Sequence, residues 1–323
     1  MSDSLQNVVH IASNRTIENA ARWLRKGELV AFPTETVYGL GADASNDLAV
    51  AKIYEAKGRP NFNPLIVHFS SLQDTAQHVE FSETARLLAK RFWPGPLTLV
   101  LPLKTSSNIS KLCCAGLPTL AVRIPCGEIA QSLLKRLGQP IAAPSANRSG
   151  QLSPTSAMHV RDSLRENIQF ILDGGAATVG LESSIVDCSR DKPTLLREGG
   201  LSREEIEKVV ALDIATDAID QEAPSSPGQL LRHYAPEKPI RINSLSNLPG
   251  SGVIAFSNQD LGHSGELLNL SPTGDLVEAA SNLFAYLHEM DRRTISEIVV
   301  VPIPEVGLGR AINDRLRRAA EAK

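Results

Sequence analysis

The sequence predicts an α/β protein: a twisted mixed sheet followed by a second, smaller Rossmann-like α/β domain. Three observations predict this. Apolar β-type runs such as Leu120–Ile124 and Ser184–Asp187 recur between segments of helical periodicity, without strict alternation. Composition changes over 211–238, where Pro224-Ser225-Ser226-Pro227-Gly228 and Ala235-Pro236 read as an extended linker. A length of 323 residues fits two domains. The expected division is 1–210, a linker over 211–238, and 239–323.

Each element has a local reason. Ile17, Ala20, Ala21 and Leu24 share one face of a helix over about 16–26, and Gly27 stops it. The strand Leu29–Phe32 follows and ends at Pro33. Ala49, Ile53 and Ala56 mark a helix over 47–57 that Gly58 ends. Pro64–Phe69 is a strand, Ser82 caps a helix to about Phe92, and Pro94-Gly95-Pro96 breaks the chain before the strand Leu97–Leu101. After Leu120–Ile124 come a helix over 128–137, the strands Phe170–Leu172 and Ser184–Asp187, and a helix opened by the capping box Ser202-Arg203-Glu204-Glu205. Beyond the linker, 240–242, 253–256 and 298–301 are strands, and about 275–291 and 309–322 are helices.

Composition narrows the function. Net charge is −3 and aromatics are 4% of residues. A dedicated nucleic-acid binder would carry a basic excess and stacking platforms. Arg310, Arg315, Arg317, Arg318 and Lys323 do collect near the end, where a terminal helix would hold them as a solvated face. The four cysteines, Cys113, Cys114, Cys126 and Cys188, have no C-x-x-C spacing and read as buried thiols of a reducing, cytoplasmic setting. Neither a secretory signal nor a run long enough to span a bilayer is expected, so no membrane partner is.

Two strands open abruptly onto polar motifs, at Phe32-Pro33-Thr34-Glu35-Thr36-Val37-Tyr38-Gly39 and at Ile141-Ala142-Ala143-Pro144-Ser145-Ala146-Asn147. Between them, Lys57-Gly58-Arg59-Pro60 sets two cations in a turn, with Asn61 and Asn63 nearby. The pair suits phosphate or carboxylate oxygens, or else merely favours a helix C-terminus. Ser145, Asn147, Ser153 and Thr155 are either ligand hydroxyls and amide or ordinary turn and cap residues. Glu182-Ser183-Ser184 could hold an amino acid or simply enter a strand. Arg123, between Val122 and Ile124, must pair with either a structural or a ligand carboxylate. His68 ends a strand and is open to a structural role.

The chain has no Walker loop, no H-E-x-x-H, no zinc-spaced cysteines and no G-x-S-x-G elbow. Gly39-Leu40-Gly41-Ala42-Asp43-Ala44 matches only the loose dinucleotide pattern, separated from its strand by a polar insert. Cations, hydroxyls and amides without an evident covalent nucleophile point to phosphoryl or nucleotidyl transfer by orientation and charge stabilisation.

Together these motifs resemble the threonylcarbamoyl-AMP synthase family, in its two-domain form with an N-terminal YrdC-like domain. The resemblance rests on the two polar motifs, Lys57-Gly58-Arg59-Pro60, Asn63-Pro64-Leu65, Trp93-Pro94-Gly95-Pro96-Leu97-Thr98 and Leu195-Leu196-Arg197. Ser226-Pro227-Gly228, Arg232-His233-Tyr234-Ala235-Pro236 and the C-terminal Gly307–Arg315 extend it over nearly the whole chain. Gln229-Leu230-Leu231 departs from the family's Met and aromatic residues after Ser-Pro-Gly.

The resemblance implies that L-threonine, bicarbonate and ATP give threonylcarbamoyl-AMP and pyrophosphate, with Mg2+ held by phosphates and water. It also implies hand-over to the tRNA threonylcarbamoyl-transferase machinery. By the same resemblance Thr36, His68, Arg123, Ala143 (through its backbone) and Ser183 contact threonine. Arg59, Asn63, Thr119, Ser145, Ser153, Arg197 and Tyr234 contact ATP, and Lys57 and Asn147 contact phosphate or carbamate. Lys57, Arg59, Ser145 and Asn147 form the catalytic set, no protein metal ligand is assigned, and Tyr234 makes the linker a lid. The rival readings are an RNA-binding module and the carbamoyl-transferase of hydrogenase maturation, whose zinc-finger cysteines this chain lacks.

Overall fold

A computed structural model describes residues 8–210, 215–216, 234–244, 250–258, 261 and 265–321. The expectations for Pro224–Gly228, Gln229–Leu231, Arg232-His233 and Lys323 therefore lie outside the described residues.

Among the described residues, eleven strands form one mixed sheet. Their spatial order is Val9–Ile11, Ile171–Asp173, Val30–Phe32, Gly39–Asp43, Ile141–Ala142, Ile66–His68, Thr119–Arg123, Leu97–Pro102, Ser184–Asp187, Thr194–Arg197 and Ala215–Thr216. Pairing is mixed: Ile66–His68 runs parallel to Thr119–Arg123 and antiparallel to Ile141–Ala142. The last strand lies within the stretch expected to be linker.

Strand alternation splits the core between two faces. Val30 and Phe32 pack under the helices Asn14–Arg25 and Glu128–Leu137. Ala31 faces the opposite cluster, beneath the helices Asp47–Lys57, Glu83–Phe92 and Ala157–Leu164. Farther along the first face, Ile66, Val100, Ala121 and Ile185 form a separate small cluster. Between the two clusters that face turns polar, because His68 and Arg123 follow Ile66 and Ala121 by two residues.

The strong periodic helices lie where expected, with Ser82 as N-cap, Gly58 left-handed at φ 59°, and Ser202 and Glu205 capping each other's backbone N–H. Short helices at Leu72–His78 and Lys111–Cys114 were not expected; the helix for which Thr155 is a candidate cap runs over Ala157–Leu164, with Ser156 as its cap instead. The strand Gly39–Asp43 was also not expected, since glycines carry no strand signal. Its glycines serve packing: a Cβ on Gly41 would come within 2.8 Å of Phe32 Cε1 and 2.9 Å of Ile141 Cγ2. That disposes of the dinucleotide-loop match.

The C-terminal domain is a four-stranded parallel sheet in the order Ile240–Arg241, Ile298–Val300, Gly252–Ala255, Leu267–Asn269, with the helices Leu276–Arg292 and Leu308–Ala320. Its apolar core takes in Val37, Leu152 and Leu181 of the first domain and Tyr234 of the linker. Gly180 allows the close approach: a Cβ there would sit 2.5 Å from the carbonyl oxygen of Ala280.

Arg317 is exposed, as expected, but Arg310, Arg315 and Arg318 do not belong to a solvated face. Arg315 is fully buried, and Arg318, buried too, pairs with Asp314. Arg310 pairs with Glu204 and Glu198 of the first domain, and Arg317 with Glu305. Helical periodicity places these residues on the last helix but does not show what packs against it.

Candidate active site

The two polar motifs meet because their backbones are zipped together. Gly39 and Ser145 form an antiparallel bridge, Leu40 N donates to Pro144 O at 2.8 Å, and Ala146 N donates to Tyr38 O at 2.8 Å. The polar seam of the sheet therefore becomes one cavity, with about 50 Å3 of free space. Thr36, His68, Arg123, Ala143 and Ser183 line it, together with Arg59, Ser145, Arg197 and Tyr234.

Arg123 is buried and answers its two alternatives with a protein carboxylate. Its Nη2 donates to Glu35 Oε1 at 2.6 Å, Nη1 to Thr36 Oγ1 at 2.9 Å and Nε to Gly95 O at 3.2 Å. A guanidinium has further N–H donors, so one side remains for a ligand in the cavity. Burial raises the Glu35 carboxyl pKa, but the charge and hydrogen bond of Arg123 outweigh it and hold the group below its ordinary value. Thr34 fixes the motif's turn, its hydroxyl donating to Val37 O at 2.7 Å. His68 is pushed down to about 3, first by burial and then by the charge of Arg123, so its imidazole is neutral. The Ala143 N–H is spent on Ile66 O at 2.9 Å, which leaves its carbonyl for a ligand.

Across the cavity, Ser183 shares a 2.7 Å hydrogen bond with Thr98 and accepts from Arg197, whose Nη2 reaches Ser183 O at 2.9 Å. A register shift between Leu195 and Arg197 sets Arg197 opposite Ile185. This bulge turns Arg197 to the face that carries Ile185 and the cavity. Arg59 donates to Asn63 Oδ1 at 2.6 Å and to Pro64 O at 2.8 Å. Burial lowers its pKa to about 10, so it stays charged at neutral pH.

Other expected residues stand behind the wall. Lys57 Nζ donates to Ser145 O at 2.6 Å and to Asn147 O, clamping the loop that presents Ser145. Burial and then the nearby Arg59 push its pKa well below the ordinary value. Asn147 Nδ2 donates to Gln151 O at 2.8 Å, and Ser153 Oγ donates a hydrogen bond to Glu182 Oε1 at 2.5 Å. Thr119 pairs with Pro102 at a strand end and does not line the cavity. Asn63 Nδ2, His68 Nδ1 and Asn147 Oδ1 are buried without a hydrogen-bond partner. Such orphans need an explanation, and a bound ligand is one.

Sequence reasoning gave no role to Glu35 or Thr34, although both stand inside the motif it singled out. It also missed Arg315, whose Nε donates to Glu182 Oε2 at 3.0 Å. A fully apolar flank would have flagged Arg315, as it flagged Arg123, but Asp314, Arg317 and Arg318 surround it.

Comparison with known proteins decides the family. A family model described as telomere recombination matches residues 22–199, and one described as threonylcarbamoyl-AMP synthase, C-terminal domain, matches 201–321. Threonylcarbamoyl-AMP synthase of Pyrococcus abyssi is 43% identical, over 94% of this chain and 94% of its own. The chain belongs to the threonylcarbamoyl-AMP synthase family. The family's Bacillus subtilis member is also 43% identical, over 94% of this chain and 92% of its own. The crystal structure of P. abyssi Sua5 complexed with L-threonine superposes with a TM-score of 0.88 at 39% identity, covering 98% of this chain and 97% of that one. Escherichia coli YciO, at 23% identity and a TM-score of 0.53 over 59% of this chain and 94% of its own, shares the fold of the family's first domain. Among the described residues no helix is long and apolar enough to cross a membrane.

Proposed function

We propose that this family member condenses L-threonine, bicarbonate and ATP into threonylcarbamoyl-AMP and pyrophosphate, a nucleotidyl transfer whose product feeds threonylcarbamoyladenosine formation in tRNA. One observation carries this reading: five residues expected at threonine and four expected at ATP line the same cavity. The bound L-threonine of the P. abyssi relative supports it.

Arg123 takes the threonine carboxylate, with Thr36 and Glu35 fixing the guanidinium plane. Neutral His68 and the Ser183 hydroxyl offer uncharged contacts, leaving the amine able to capture carbon dioxide as carbamate. Arg59 and Arg197 face the phosphates and offset the repulsion when the carbamate oxygen attacks the α-phosphorus and pyrophosphate leaves. Lys57 and Asn147 act through the shape of the Ser145 loop.

Among the described residues no three metal-ligating side chains converge, and both carboxylates beside the cavity are paired with arginines. We assign magnesium to the ATP phosphates and water, where it screens charge.

Ligand pockets usually enclose roughly 300–1,000 Å3, far above the 50 Å3 free here. Tyr234 lines that space, and we assign it the part of a lid residue that admits the nucleotide and then excludes water from a hydrolysable anhydride. The same lability favours hand-over to the tRNA-modifying machinery. The four free thiols suit a cytoplasmic setting.

Pyrophosphate release that needs threonine and bicarbonate together, with the adenylate detected by mass spectrometry, tests the reading. Release at the same rate without threonine refutes it.

A further inference from the structure

Arg315 heads the large side chains that the described fold buries completely. It belongs to the helix Leu308–Ala320 of the C-terminal domain, yet besides its neighbour Asp314 it meets Glu182 of the first domain and Tyr234 of the linker. Its Nε donates to Glu182 Oε2 at 3.0 Å, Nη1 donates to Asp314 Oδ2 at 2.7 Å, and its Cζ stands 5.3 Å from the centre of the Tyr234 ring. Glu182 and Tyr234 both line the cavity, and the other oxygen of Glu182 accepts from Ser153.

We propose that Arg315 is a positioning residue of the nucleotide site: it neutralises Glu182 and seats Tyr234, so that the C-terminal domain sets the charge and shape of a cavity in the first domain. The inference rests on the proposed function, because its physical reason is the charge of the ligands. A triphosphate and a carbamate must enter a small desolvated space. A bare carboxylate in its wall would repel both, and burial strengthens that repulsion. Arg310 and Arg317 pair with glutamates and Arg318 with Asp314, while the charge of Arg197 acts on Glu182 after that of Arg315.

The seat for Tyr234 is equally specific. Tyr234 holds φ 65°, a left-handed conformation that bulky residues rarely adopt. Such a conformation persists only when its surroundings over-determine it. Here the Arg315 guanidinium and the Phe284 ring, 5.5 Å away, flank the tyrosine, while Ala235 N donates to Gly150 O at 2.8 Å.

The test compares steady-state pyrophosphate release by the full chain with that of Arg315→Gln, Arg315→Lys and the paired Glu182→Gln/Arg315→Gln variant. Arg315→Gln is expected to raise the ATP KM at least roughly tenfold with a smaller change in kcat, because a buried charge loses its partner. Arg315→Lys keeps the charge and recovers much of the loss, and the paired variant, which removes the bare carboxylate, recovers most of it. A purely structural arginine would lower the melting temperature without this rescue. An ATP KM unchanged in Arg315→Gln, or a paired variant no better than the single one, overturns the proposal. Should Arg315→Gln fail to fold, the paired variant decides: an ATP KM within about tenfold of wild type supports the proposal, and a larger loss overturns it. Wild-type protein without threonine-dependent release would instead sink the proposed function. A working wild type with indifferent Arg315 variants sinks only the positioning role.

Discussion

Two buried arginine–glutamate pairs flank the cavity, Arg123–Glu35 and Arg315–Glu182, at 2.6 Å and 3.0 Å. Their chemistry is alike: in each, burial raises the carboxyl pKa and arginine charge more than reverses it. Their origins differ. The first joins a strand end to a motif of the same domain. The second crosses from the last helix to a loop over a hundred positions earlier, with the linker tyrosine against it. On the proposed function, the first domain carries its own anchor for threonine, while the closure over the nucleotide depends on the neighbouring domain. A buried charge pair can belong to a site or to an interface, and here the same geometry serves both.

The largest effect should fall on the internal pair. Arg123→Ala leaves Glu35 buried and unpaired, an expected loss of about 3–5 kcal/mol of stability. Arg123→Lys should fold, yet lose most threonine affinity in calorimetry because it lacks the planar fork. Threonine binding by Arg123→Lys equal to wild type would erase the distinction between the pairs.

Next, Arg59→Ala should slow turnover at least roughly tenfold while the melting curve stays cooperative, since a charge-assisted hydrogen bond is worth about 1.5–3 kcal/mol. Wild-type turnover would take Arg59 out of the site.

A smaller effect should come from Gly180→Val, which pushes a side chain into Ala280 and Ser281 at backbone distances near 2.5 Å. It should loosen the interdomain pair and spare the internal one. The ATP KM should rise several-fold while threonine affinity, read by calorimetry, holds. Equal losses of both would show that the domains do not divide the work.

The smallest effect concerns acid. His159 and His288 stack across the interface at 3.9 Å, and burial pushes them down to about 3 and about 4. His68 is pushed to about 3 within the first domain. All three are neutral in the fold, whereas the unfolded chain takes up protons near its ordinary value of about 6.5. Stability is therefore full above that value and falls as pH drops toward the folded values. Thermal melts from pH 7.5 to pH 4.5 should show this decline. His159→Gln with His288→Gln should flatten part of it, leaving the share due to His68. An unaltered acid limb in that double variant would refute the interface contribution.

Much of this was legible in the chain. Long amphipathic helices announce themselves because burial is local and periodic, as at Asn14–Arg25, Glu128–Leu137 and Leu276–Arg292. Motif chemistry pointed to Arg59, Arg123, Ser145 and Ser183 because cations and hydroxyls in turns or beside apolar strands need a purpose. Gly39–Asp43 was not legible, since its glycines are explained only by Phe32 and Ile141 on neighbouring strands.

The chain by itself determined the α/β class and the family, because these follow from periodicity and contiguous motifs. Tertiary structure alone decided that Lys57 clamps a loop instead of facing the cavity, that a bulge aims Arg197, and that Arg315 is buried against Glu182. The physical reason is distance along the chain: a side chain's partner is written at another position, and only packing brings the two together.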